Sequence, residues 1–143
     1  NTNSVNELVL LFTKSTMYSV TNQEFESLIG QALDSLPNKY IKRLSNVAII
    51  VEDDPSPEQR SQLHLHNNQT LFGLYQGIPL TTRGANYNLV LPDIITIFKN
   101  PLESSVNNLE ELKESIRHTL WHEIAHFFGL DHDRIYKLDG TTE

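Results

Sequence analysis

Three of the six histidines fall in one short string, His122-Glu123-Ile124-Ala125-His126-Phe127-Phe128-Gly129-Leu130-Asp131-His132. His122 and His126 are four residues apart, so on a helix they share one face, one turn apart. Two imidazoles placed that way can converge on one metal ion at roughly 2.0–2.1 Å each. Glu123 follows the first histidine and points about 100° around the helix. It is badly placed to bind the same ion and well placed to take a proton from a water on it. Zn²⁺ lowers the pKa of such a water toward ~7 and polarises a carbonyl. His-Glu-x-x-His on a helix is therefore a compact device for metal-assisted hydrolysis.

Gly129 suggests how the site is completed. A glycine after the last helical turn adopts the left-handed conformation without a steric cost. The chain can then turn sharply and return His132 to the metal as a third ligand, which leaves one position open for water and substrate. Asp131 and Asp133, carboxylates of the same turn, are the alternatives. The full string has the metzincin-type spacing. A chance match is on the order of 1 in 10⁴ to 10⁵. A buried helix with structural histidines explains neither the spacing nor the glutamate. A metal site without catalysis remains the competing explanation, and imidazole ligands also suit first-row ions other than zinc.

Other residues carry weaker signals. His118 precedes His122 by one turn and reads as a solvated helix histidine, or as part of a cleft wall. His64 and His66 alternate with leucines and suit a loop or surface. Arg83, Tyr87, Arg134 and Tyr136 are candidate oxyanion donors, with Tyr136 first because it follows His132 by four residues.

The motif must be held by a long helix. Asn108 can cap it with Glu111 at the third position, and Leu109, Leu112, Ile116, Leu120, Ile124 and Phe127 form one apolar stripe. Trp121, Ala125 and Phe128 add a second apolar face, so the last three turns read as buried. His122, Glu123 and His126 would carry a desolvation cost there unless paired, and a metal would pair them. A second amphipathic helix is expected over residues 22–36. Thr21 and Glu24 form its capping box, Val20 and Phe25 a hydrophobic staple, and Pro37 its stop. Val47–Val51 reads as a strand apolar on both faces. Residues 53–70 read as a loop with room for one helical turn. Leu71–Tyr75 reads as a second strand, with Gly73 and Gly77 marking a twist or a close backbone approach. Ile94–Phe98 reads as a third, closed by Asn100-Pro101. Residues 1–19 read as an N-terminal extension.

Composition narrows the classes. A chain of 143 residues fits one domain. A formal net charge of −7 disfavours nucleic acid or an anionic membrane as partner. The absence of cysteine excludes disulfides and thiolate metal sites and suits a cytoplasmic location. The apolar run Leu8–Phe12 is too short to span a bilayer and lacks the flanks of a signal peptide.

Taken together, several stretches resemble the bacterial minimal metalloproteases, a zincin-like family built on a single small domain. They are Ala32–Pro37, Val47–Asp53, Leu71–Leu80, Leu91–Phe98, and Ile116–Leu120 running into the zinc motif. The resemblance implies an α+β fold: a single compact domain over residues 20–143, a small mixed sheet packed against helices, and the zinc motif on the long C-terminal helix beneath a shallow cleft. It implies His122 and His126 as zinc ligands, Glu123 as general base, and His132 at a third-ligand position where the family has His or Asp. Metzincins carry a Met-turn downstream of that ligand. Here the one methionine is Met17 and 11 residues follow His132, so a minimal zincin with an open cleft is expected.

The expected activity is that of a zinc-dependent endopeptidase using one Zn²⁺ ion on a peptide or unfolded protein substrate. The substrate would lie extended along a sheet edge, either Leu71–Tyr75 or Ile94–Phe98. The alternatives are a non-catalytic zinc-containing module that binds a peptide or partner, and a zinc hydrolase of a non-peptide amide. Glu123 favours catalysis over the binding module, since a structural zinc site has no use for a base beside its ligand.

Overall fold

A computed structural model describes residues 18–63, 71–79, 83–84 and 91–130. In chain order the elements are helices α1 (Asn22–Ser35) and α2 (Asn38–Ile41), strand β1 (Val47–Glu52), helix α3 (Pro57–Gln62), strands β2 (Gly73–Gln76) and β3 (Asp93–Phe98), and helices α4 (Lys99–Ser104) and α5 (Leu109–Phe127). This is the α+β arrangement expected: a small mixed sheet with the motif-bearing helix last.

The helix ends follow the cap residues. The Thr21 hydroxyl accepts from the Glu24 amide at 3.1 Å and donates to the Glu24 carboxylate at 3.0 Å. The Asn108 side chain accepts from the Glu111 amide at 2.9 Å. Each cap satisfies a donor that a helix N-terminus otherwise leaves unpaired. The staple residue Phe25 is fully buried, and Val20 packs on the same core.

Strand order is β1-β3-β2, with β1 parallel and β2 antiparallel to β3. β3 is therefore central. Of the two expected edges, the one at Leu71–Tyr75 is, among the described residues, an edge, as β2, and the one at Ile94–Phe98 is not. β1 is the opposite edge, and it is half-buried rather than apolar-packed on both faces; Ile50 is 38% exposed. An edge strand loses cover that a central one keeps, so the burial expected of β1 belongs to β3.

Ile95 and Ile97 of β3 project into the core, where Val47, Ile49 and Val51 of β1 join them. There they meet Leu112, Ile116, Leu120 and Ile124 of α5, which in turn pack on Phe25, Leu28, Ile29 and Ala32 of α1. The expected α5 stripe is buried except at Leu109, which is 39% exposed in the first turn. Trp121 and Ala125 are fully buried on the second face. Tyr40 of α2 sets its ring edge-on to Trp121 and Phe128. α5 is thus clamped on both sides, which fixes the motif in its last turns.

Asn100-Pro101 does not close β3 into a loop. The chain enters α4 directly, with Pro101 in the first turn, where its missing N–H has no intrahelical partner to lose. Lys99 and Glu103 of α4 form a buried ion pair at 2.9 Å, and Glu103 also accepts from the Val20 amide at 2.9 Å. That contact fixes the entry to α1. Most of the expected N-terminal extension, residues 1–17, lies outside the described residues. No helix among the described residues is long and apolar enough to cross a membrane.

Candidate active site

The last turns of α5 bring His122, Glu123 and His126 together, with one potential ligand atom of each within 4.8 Å of the others. Both histidines are half-buried. Their Nε2 atoms stand 3.2 Å apart. Two ligands at roughly 2.0–2.1 Å from a tetrahedral ion would be separated by about 3.3–3.4 Å. The imidazoles are therefore spaced to share an ion with little rearrangement, and this donor set fits zinc.

Glu123 faces the inner side of the edge strand. It is buried, at 8% exposure, with the main-chain N–H of Tyr75 as the polar group beside its carboxylate. Burial pushes its pKa up to about 7, against the smaller downward pull of that amide. The pairing of β2 with β3 leaves the Tyr75 amide turned out of the ladder. Phe98 donates to the Phe72 carbonyl at 2.9 Å, so hydrogen-bonded pairs fall at even-numbered positions of β2, and Gly73 and Tyr75 turn their main-chain groups away from β3.

The close approach of β2 to α5 depends on Gly73. A Cβ there would stand 2.7 Å from the Thr119 methyl and 3.2 Å from Cγ of Glu123. Gly77 serves in the same way at the other end of β2, since a Cβ would lie 2.7 Å from both carboxylate oxygens of Asp93. Asp93 is itself buried, accepting from the Tyr75 hydroxyl at 2.6 Å and from Arg83 at 2.5 Å. Burial, then the Asp93 hydrogen bond and charge, hold the Tyr75 phenol protonated well above its ordinary pKa. Arg83 also donates to the Ile78 carbonyl at 2.7 Å, and its guanidinium lies over the Phe127 ring. Among the candidate oxyanion donors, Arg83 is thus committed to this cluster. Tyr87, Arg134 and Tyr136 lie outside the described residues.

Helix α5 ends as its glycine predicts. Gly129 has φ 75°, its amide donates to the His126 carbonyl at 2.9 Å, and the Leu130 amide donates to Ala125 at 3.1 Å. Those two bonds make a Schellman ending, which turns the chain sharply just after the second histidine. His132 and the alternatives Asp131 and Asp133 lie outside the described residues, as do His64 and His66.

The site opens into a cleft of about 270 Å³ lined by Leu71, Phe72, Gly73, His118, Thr119, His122 and Glu123. His118 is exposed and forms part of its wall. Sequence reasoning missed the Tyr75 amide as partner of Glu123, and it missed Asp93 and Thr119. The one sequence signal for these contacts was the pair of strand glycines.

The model of the zincin-like metallopeptidase family matches residues 44–141. That range holds all three strands, α5 and the whole histidine string, and leaves α1 outside. Among solved structures, a conserved hypothetical protein from Thermo thermophilus matches with a TM-score of 0.50 and 18% identity, covering 84% of this chain and 98% of that one. That likeness shows the fold alone. No curated protein matches the chain. The expected resemblance to the minimal metalloproteases thus rests on a match over most of the sequence, and the chain belongs to the zincin-like metallopeptidase family.

Proposed function

We propose that this chain is a zinc-dependent endopeptidase in which His122, His126 and His132 hold one Zn²⁺ and Glu123 is the general base. The supporting observation is Glu123, a buried carboxylate set between the two-histidine pair and the amide of an edge strand. When bound, zinc supplies a Lewis acid that polarises the scissile carbonyl and acidifies water.

The chain's own residues do the rest. Ionised Glu123 takes a proton from the attacking water as its oxygen bonds to the carbonyl carbon. The same carboxyl then delivers that proton to the departing amine as the C–N bond breaks. The Tyr75 amide faces the carboxylate, and burial keeps its proton affinity near neutral, where a base can both accept and release. The main-chain groups of Gly73 and the Tyr75 carbonyl turn away from β3, which suits an extended peptide added as a further strand.

Two measurements test this. Metal analysis of the purified chain should give one zinc per chain. Wild type should hydrolyse an unstructured protein such as casein, and Glu123→Ala should abolish hydrolysis while zinc stays bound. Equal activity in wild type and variant, or none in wild type on a broad peptide library, would transfer the site to a zinc-containing binding module.

A further inference from the structure

Phe72 lies just before β2 and is 38% exposed. It lines the cleft that holds His122 and Glu123. It also lines a second depression, of about 390 Å³, against α4, together with Asp54, Asn100, Pro101, Ser104 and Ser105. The same short helix pins the start of the described chain. Glu103, next to Ser104, accepts the Val20 amide at 2.9 Å and pairs with Lys99. Tyr18 and Val20 also pack on the core. The Val20 amide is therefore within about 12 Å of the Ser104 backbone, counting the Glu103 side chain and one Cα–Cα step.

What precedes this anchor has the chemistry to fill the depression. Residues 1–17 lie outside the described residues. They carry the apolar run Leu8-Val9-Leu10-Leu11-Phe12. Residues 13–19 can span about 23 Å when extended, which is ample to bring that run to Phe72. Phe12 offers a ring to the exposed Phe72. Lys14 is the one cationic side chain in residues 1–19, and Asp54 lines the depression. The tether matters as well. A short linker holds its segment at a local concentration on the order of millimolar, so a weak contact is enough to keep it docked.

We infer that the chain's own N-terminal segment, residues 8–14, docks in the depression beside α4, with Phe12 on Phe72 and Lys14 toward Asp54. Docked there, it reaches over Phe72 and competes with substrate for the adjoining cleft. The competition rests on the peptidase reading above; the docking does not.

The chain has no cysteine, so introduced pairs report the docking directly. In the zinc-loaded full chain, Thr13→Cys with Ser104→Cys should form an intramolecular disulfide in oxidised glutathione, which requires the two Cα atoms to come within about 7 Å. Thr13→Cys with Ser35→Cys should not, although Ser35, about 20 Å along α1, is also within reach of the tether. Leu11→Asp should cut the Ser104 disulfide yield severalfold. In the otherwise native chain it should lower KM for a peptide substrate by about threefold or more with kcat unchanged, as expected when an internal competitor is released. A synthetic peptide of residues 1–17 added to Leu11→Asp should raise KM again. Equal disulfide yields at Ser104 and Ser35 would overturn the inference and leave the peptidase reading standing. So would a product that links only two chains, which would put a second copy's segment in the depression, and so would a KM unchanged by Leu11→Asp. Selective cross-linking to Ser104, in a protein whose wild type and Leu11→Asp forms alike hydrolyse nothing, would sink the peptidase reading and retain the docking.

Discussion

The main-chain N–H of Tyr75 is the polar group beside the carboxylate of Glu123, so the edge strand itself borders the proposed base. The phenol of the same residue is held by Asp93 at 2.6 Å. One tyrosine therefore connects the buried Asp93–Arg83 pair to the group beside the two histidines. The base is fixed from the sheet, the histidines from the helix, and the packing of β2 on α5 sets the distance between them.

Burial of Glu123 has a measurable consequence in metal-free protein. Its pKa is up to about 7 in the fold, against about 4.3 when unfolded. Between those values the folded chain binds more protons than the unfolded one, so stability falls as pH rises. The contribution is complete below the unfolded value and is lost as pH passes through about 7. Melting temperatures of chelator-treated wild type and Glu123→Gln between pH 5 and 8 should therefore diverge. The variant, neutral throughout, should lose less stability with rising pH; parallel curves would contradict the shift.

The spacing of His122 and His126 predicts where metal affinity resides. Their Nε2 atoms, 3.2 Å apart, are nearly set for a tetrahedral ion, so either His→Ala change should remove bound zinc under dialysis that wild type survives. His132→Ala should weaken binding as well, and Asp133→Ala should not. The reverse order would make Asp133 the third ligand. Zinc should also stabilise the folded chain, by about 4 kcal/mol at a free concentration a thousandfold above Kd, read as a rise in Tm that His126→Ala abolishes.

Much of this arrangement was legible because it is local. The Thr21 and Asn108 caps, the α5 stripe and the Gly129 ending are each encoded within a few residues. The His122-Glu123-His126 spacing needs only a helix to become a site. What could not be read is what depends on partners distant in sequence. Nothing near Val47–Val51 says that it takes an edge while Asp93–Phe98 takes the centre, since strand order is decided by how the helices cover the sheet. Asn100-Pro101 resembles a stop because proline usually is one, and only its place in a first turn makes α4 possible. Asp93, Arg83 and Tyr75 meet from three separate segments, with no period to announce them.

The Asp93 cluster should be a point of fragility. Asp93 and Arg83 side chains are 4% and 10% exposed, and removing one partner of such a pair leaves the other's charge poorly compensated. Asp93→Ala should cost about 3–5 kcal/mol. Tyr75→Phe should cost only about 1 kcal/mol, for one hydrogen bond. Urea denaturation followed by circular dichroism would order them. Equal losses would mean that the phenol, not the ion pair, holds the strand.

Gly73 tests the packing that sets the site. A Cβ at this position would meet the Thr119 methyl at 2.7 Å and Glu123 Cγ at 3.2 Å, so Gly73→Ala must push β2 away from α5 or turn Thr119. Overpacking of this kind costs about 1–3 kcal/mol. Thr119 is only 6% exposed and has little room to yield. The displacement would fall on the strand that carries the Tyr75 amide, so Gly73→Ala should lower peptidase activity more than an equally destabilising change in α1, such as Leu28→Ala. Adding Thr119→Ser removes the clashing methyl and should restore part of both stability and activity. A double-mutant cycle would then show a favourable coupling of at least about 0.5 kcal/mol. Strict additivity of the two changes would mean that Thr119 does not limit the approach of β2 to the helix.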